Sequence, residues 1–252
     1  MRRIAISILA ITFLSSPAFA QKKTESPADA ALNFYRALKE KRYVEGFHHS
    51  IYRAAAEGLS TDELKDLEGD FAQSFSSIPD KIEPRGEQIN GDTAVVFLKF
   101  DGIDEPQQVA LIRVDGEWLV GDKDSFEVVK AQGRAFFFNA RIQANESEAF
   151  DMLQRMIGAE LLYSQKFQSR YASLQELIKL GGAPEELESG TSNGYRFTLT
   201  VSRDGKSFSA TATPDLYGKT GRLSFYADIA GVRAEDLKGR AATAASPVYQ
   251  PN

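Results

Sequence analysis

The sequence predicts an α+β protein in two parts: helices followed by a curved antiparallel sheet over 25–130, then a long helix packed on a small antiparallel sheet over 135–240. Three observations predict it. Apolar residues recur at helical spacing in two separate stretches, one through Ala31, Phe34, Tyr35 and Leu38 and one through Ile142, Ala149, Leu153, Ile157 and Leu161. Each stretch gives way to segments rich in β-branched and aromatic residues, joined by Asp-Gly turns. Gly133 punctuates the chain between the two parts.

Ahead of the first part, Arg2 and Arg3 precede an apolar run over 4–14 that leads into Pro17-Ala18-Phe19-Ala20. A charged start, a short apolar core and small residues at Ala18 and Ala20 make the pattern of a secretory signal peptide, cut after Ala20. The run is too short to span a bilayer, and no later run approaches the ~20 residues a membrane helix needs. The expected location is therefore the periplasm or the medium, with no membrane span after cleavage. Loss of the two arginines would lower the formal charge from -5 to -7, since 28 basic residues would then face 35 acidic ones. That balance argues against nucleic acid as a partner. With no cysteine, disulfides, thiolate metal sites and thiol nucleophiles are excluded.

In the first part, Ser26-Pro27-Ala28-Asp29 starts a helix that runs to about Lys41, with serine at the cap and proline in the first turn. Phe47, Ile51 and Tyr52 mark a second, shorter helix, and Ser60-Thr61-Asp62-Glu63 opens a third that carries Leu64, Leu67, Phe71 and Phe75. After Pro79 and Pro84 strands are expected over 88–90, 93–101 and 107–114. Residues 111–120 form the strongest hairpin signal, with Asp115-Gly116 at the turn and Trp118 burying its ring on the inner face.

Helices, then a curved sheet closing on an Asp-Gly-Glu-Trp hairpin, resemble the cone-shaped nuclear transport factor 2-like superfamily. The resemblance covers about a hundred residues and rests mainly on element order. It implies a cone with an interior pocket, used in that superfamily either by small-molecule enzymes or by non-catalytic binding modules.

Candidate pocket residues are Tyr35, His48, Tyr52, Trp118 and Asp122. Tyr35, Tyr52 and Asp122 could line the cone's mouth and, with a histidine, act as acid and base. Against this, the adjacent His48 and His49 diverge by about 100° on a helix and lack a spacing that would ligate one metal. Asp122 and Asp124 suit solvation of a strand end better than catalysis, and Trp118 suits the core better than a ligand-stacking wall. No catalytic residue, metal or cofactor is expected.

In the second part the long helix begins near Ala135 and meets no proline before Pro184. Phe150, Met156 and Tyr163 widen its apolar face. Leu174, Leu177, Ile178 and Leu180 form a short second helix closed by Gly181-Gly182. Strands follow over 195–202, 207–213 and 222–227, with Asp204-Gly205 as the first turn.

One long helix, a short connection and a sheet of three or four strands resemble the globular domain of type IV pilins and pseudopilins. The stretch Asn139-Ala140-Arg141-Ile142-Gln143-Ala144-Asn145-Glu146-Ser147-Glu148-Ala149 is similar to the segment after the membrane half of the pilin helix. Asn193-Gly194-Tyr195-Arg196-Phe197, Ala210-Thr211-Ala212-Thr213-Pro214 and 222–233 look like its strands in order. Of the apolar anchor only Ala135 to Phe138 remain, so filament formation through that helix is not expected.

Phe136, Phe137 and Phe138 are candidates for an interdomain seam or a partner contact. Asn145-Glu146-Ser147 fits a glycosylation acceptor but sits inside the helix, and Asp215 and Asp228 lack the dense oxygen spacing of a calcium loop. The alanine- and proline-rich tail over 241–252 is expected to be disordered.

The function expected from these features is that of an exported non-enzymatic binding or assembly protein, an accessory of an envelope secretion or pilus system with an envelope protein as partner. The alternative is an exported small-molecule carrier or enzyme that uses the cone pocket.

Overall fold

The computed structural model describes residues 25–251, so the predicted leader lies outside the described residues. The first part opens with four helices: α1 (Pro27–Lys39), α2 (Tyr43–His48), α3 (Arg53–Ala56) and α4 (Thr61–Ser74). Ser26 caps α1 by accepting the Asp29 N–H, with proline in the first turn where no amide partner is lost. Ser60 and Glu63 form a reciprocal capping box on α4.

An antiparallel meander follows in the order β1 (Ile82–Asn90), β2 (Thr93–Phe100), β3 (Gln107–Val114), β4 (Glu117–Val120). The first strand begins at Ile82, six residues before the expected start, because its exposed polar residues hide the strand period and Pro84 sits at a register shift where a ladder bond can be spared. Ala94, Val96, Leu98 and Phe100 alternate inward and join Val109, Leu111 and Trp118 against Ala30 and Ala31 of α1. In the β3–β4 hairpin Asp115 and Gly116 both take positive φ (51° and 85°), as a tight two-residue turn requires. Ile112 and Leu119 face the other side, where Ile51, Ala55 and Val129 cover them. The free edge of β4 is closed by 49–51: Val120 donates to the His49 carbonyl and accepts from Ile51 N–H.

A fifth helix, α5 (Lys123–Gln132), lies where the sequence suggested only a strand end. After Gly133, α6 runs from Ala135 to Lys166. Its first turn packs with the first part: Phe137 stacks on Phe47 at 5.0 Å and meets Phe71 edge-on. Further along, Ala149, Met152, Leu153, Met156 and Ile157 cross the second sheet. That sheet, in the order β5 (Thr191–Ser192), β6 (Tyr195–Val201), β7 (Phe208–Pro214), β8 (Ser224–Asp228), β9 (Gly231–Glu235), has five antiparallel strands rather than three or four. Ala210, Ala212 and Ala227 face the helix, so small side chains let α6 approach closely. Tyr195 is fully buried and donates its hydroxyl to the Leu223 carbonyl at 2.8 Å. Gly221 is required beside it, since a Cβ there would sit 2.1 Å from the Tyr195 hydroxyl.

Two expectations need correction. On α6, Leu161 is exposed and Glu160 is fully buried in its place, because there the covered face of the helix turns toward 171–173, where Ala172 N–H donates to the Glu160 carboxylate. The tail over 241–251 is ordered: Ala242 and Ser246 are buried, Tyr249 packs against Phe150 and Phe225, and its N–H donates to the Val232 carbonyl. Hydrogen bonds along β9 and one aromatic ring supply what the tail's composition lacks.

Candidate functional site

The proposed cone residues do not converge on one open cavity. Trp118 is 5% exposed, buried in the sheet's inner face, with the Arg113 guanidinium 4.3 Å from its ring centre. Tyr35 is half-buried, edge-on to Phe100 at 5.3 Å, and burial pushes its hydroxyl up, with a smaller contribution from Tyr52. Tyr52 lies against Phe47 and Phe136, and its hydroxyl is raised by burial and then by the negative charge of Asp122. Tyr52 therefore lies electrostatically between Tyr35 and Asp122.

Asp122, however, is spent on structure. Its carboxylate caps α5 by accepting the Ser125 N–H at 2.9 Å and the Ser125 hydroxyl at 2.8 Å, which holds it below the usual carboxylate range. His48 is exposed, 3.8 Å from Glu57, and lines a separate groove between α2 and α4 with Tyr43, Leu64 and Phe71. His49 faces Glu25 at 3.6 Å, so the two histidines diverge. Among the described residues no group of three or more histidine and carboxylate side chains could hold a metal.

Phe136, Phe137 and Phe138 are half-buried rather than presented to solvent. Phe136 meets Tyr52 at 5.6 Å, Phe137 enters the aromatic cluster of Phe47 and Phe71, and Phe138 lies under Arg141. Arg141 in turn reaches α4, donating to Asp70 at 2.8 Å and 2.6 Å and to Asp66 at 3.1 Å.

A candidate site that the sequence reading missed lies at the far end of α6. There α7 (Leu174–Lys179) packs beside the helix, started by a capping box between Ser173 and Glu176. Gly181 and Gly182 close it with bonds back to the Ile178 and Leu177 carbonyls. Between the two helices runs an open groove of about 620 Å³, floored by Gly158, Ala159 and Leu177 and rimmed by Leu162, Leu180, Arg155 and Lys166. Leu162 is 61% exposed and Leu180 63%. Close helix approach floors the groove, since a Cβ at Gly182 would lie 3.0 Å from that of Ala159.

The groove continues past a stacked pair, Tyr163 and Phe167 at 4.3 Å, into a second depression of about 570 Å³. That one is lined by Lys166, Arg170 and Arg203, opposed by the carboxylate of Glu176. The wall is built by an abrupt reversal after α6, in which Gln168 and Ser169 both take positive φ (56° and 58°) without being glycine. Tyr171 N–H then donates to the Gly205 carbonyl, and Ala172 N–H donates to Glu160 at 2.8 Å. The available signal in the sequence was the break in pattern at Glu160-Leu161-Leu162, where a carboxylate holds the buried position and two leucines fall outside it.

No family model, no curated protein and no solved structure matches this chain.

Proposed function

We propose that this chain is an exported, non-catalytic binding or assembly protein of the cell envelope, a cone-like module joined to a pilin-like module detached from filament building. The observation that carries the binding reading is the α6–α7 groove, where two leucines more than half exposed flank an open apolar trough. Large side chains in water at a concave site indicate a surface kept for a ligand, since they otherwise invite aggregation. The carrier or enzyme reading through the cone has less support, because Trp118, Leu98, Leu111 and Phe100 fill the sheet's inner face and Asp122 is engaged as a helix cap. Detachment from filaments is supported by α6 itself: its apolar start is tucked against Phe47 and Tyr52, and among the described residues no helix is long and apolar enough to cross a membrane.

The test is native mass spectrometry of the protein isolated gently from its own envelope extract, with a photoreactive residue placed at Leu180. The expected result is a chain lacking 1–20 that carries or crosslinks a bound species at that position. A defined turnover by the purified protein, abolished by substitution of Tyr35 or Tyr52, would overturn it.

A further inference from the structure

Two adjoining depressions at the α6–α7 end differ sharply in character, and the contrast identifies a ligand class. One is apolar, bounded by Leu162, Leu177 and Leu180. The other presents Lys166, Arg170 and Arg203, none of which has a carboxylate within ion-pair distance among the described residues. Glu176 is the one carboxylate on its lining, and it is engaged with Ser173 through its own helix cap. Three cations against one carboxylate leave a local surplus of two positive charges on a chain whose formal charge is -5. Unpaired cations gathered beside an apolar trough on an acidic protein are complementary to a molecule with an apolar tail and an anionic head.

We infer that the α6–α7 end binds a single anionic amphiphile, its acyl tail in the groove and its phosphate or carboxylate head against Lys166, Arg170 and Arg203. This deepens the binding-protein reading and rests on it. Volumes of about 620 and 570 Å³ lie within the range of small-molecule sites, and Tyr163 with Phe167 forms the shared wall where tail becomes head. A single apolar trough that ends at one cationic pocket favours one molecule over a bilayer face, which would need cations spread around the apolar patch. Arg170 and Arg203 supply planar donors suited to phosphate or carboxylate oxygens, and Lys166, shared by both depressions, sits at the boundary.

The experiment is calorimetric titration of the full mature chain with decyl phosphate, decanol and inorganic phosphate, each kept below its aggregation threshold. Decyl phosphate is expected to bind once per chain, about tenfold or more tighter than either decanol or phosphate. Leu180→Asp, at an exposed position that leaves the fold intact, weakens decyl phosphate and decanol alike. The pair Arg170→Gln and Arg203→Gln lowers decyl phosphate to the decanol level and leaves decanol unchanged. Equal affinities for decyl phosphate and decanol, indifference to Leu180→Asp, or binding to anionic phosphatidylglycerol vesicles without binding of the monomer would each overturn the inference. If decyl phosphate does not bind while the photoreactive residue at Leu180 captures an envelope protein, the amphiphile falls and the binding-protein reading stands.

Discussion

Glu160 shows what one buried side chain does to the whole molecule's pH response. It has no solvent exposure, one carboxylate oxygen accepts the Ala172 N–H, and the other is buried without a partner. Burial, then the nearby carboxylate of Glu176, pushes its pKa up from 4.5 to about 7. The folded state then holds a proton that the unfolded chain has released, so the contribution of Glu160 to stability is complete below about pH 4.5 and is lost as pH rises to about 7. Glu160→Gln keeps an acceptor for Ala172 and removes the charge. It is expected to raise stability at pH 8 by on the order of 2 kcal/mol and to change little at pH 4, as urea denaturation at the two pH values will test. Trp118 carries the opposite kind of burden. Trp118→Ala is expected to cost about 3–5 kcal/mol, because the ring fills the space between sheet and α1; a variant of unchanged stability would mean that this space is open after all.

At the scale of elements, α6 is the member that ties the molecule together. Its first turn belongs to the aromatic cluster of α2 and α4, its middle to the second sheet, and its end to the groove. Phe137→Ala removes a ring that touches Phe47, Phe71 and Tyr52 and is expected to cost about 3–5 kcal/mol. Arg141→Ala leaves Asp66 and Asp70 without their guanidinium and is expected to cost about 1–3 kcal/mol. Both losses are read from chemical denaturation. Asn145 and Glu146 brace the same helix against the second part: Asn145 donates to the Thr220 carbonyl, and Glu146 accepts from the N–H groups of Arg222 and Leu223. The acceptor-like tripeptide is thus a set of tertiary braces on a helix face.

Over the whole molecule, the shared helix predicts how it unfolds. With both cores anchored on α6, calorimetry is expected to show one cooperative transition that Phe137→Ala separates into two; two transitions in the unaltered chain would mean that the cores are independent. Removal of 242–252 is expected to lower stability by about 2 kcal/mol or more, since Tyr249 leaves Phe150 and Phe225 and the tail's bonds along β9 are lost. An unchanged melting temperature in the truncated chain would count against that packing.

The α+β class was legible because its signals are local. Helical spacing through Phe34 and Leu38, the serine caps at 26 and 60, and an Asp-Gly turn between alternating strands depend on near neighbours in the chain. The candidate pocket was less legible, because contact between distant side chains is set by how elements pack. Asp122 is a cap only because α5 follows it, and Glu160 rather than Leu161 is buried only because 171–173 pack against that side of α6. The tail was misjudged for the same reason, its order coming from a strand and a ring far away in sequence. Sequence by itself determined the α+β class and the alternation of helical and strand-rich stretches, both written in spacing and composition. Tertiary structure alone decided that an apolar groove meets a cationic pocket at the end of α6, because Leu162, Leu180, Arg170 and Arg203 are brought together by packing that no local pattern encodes.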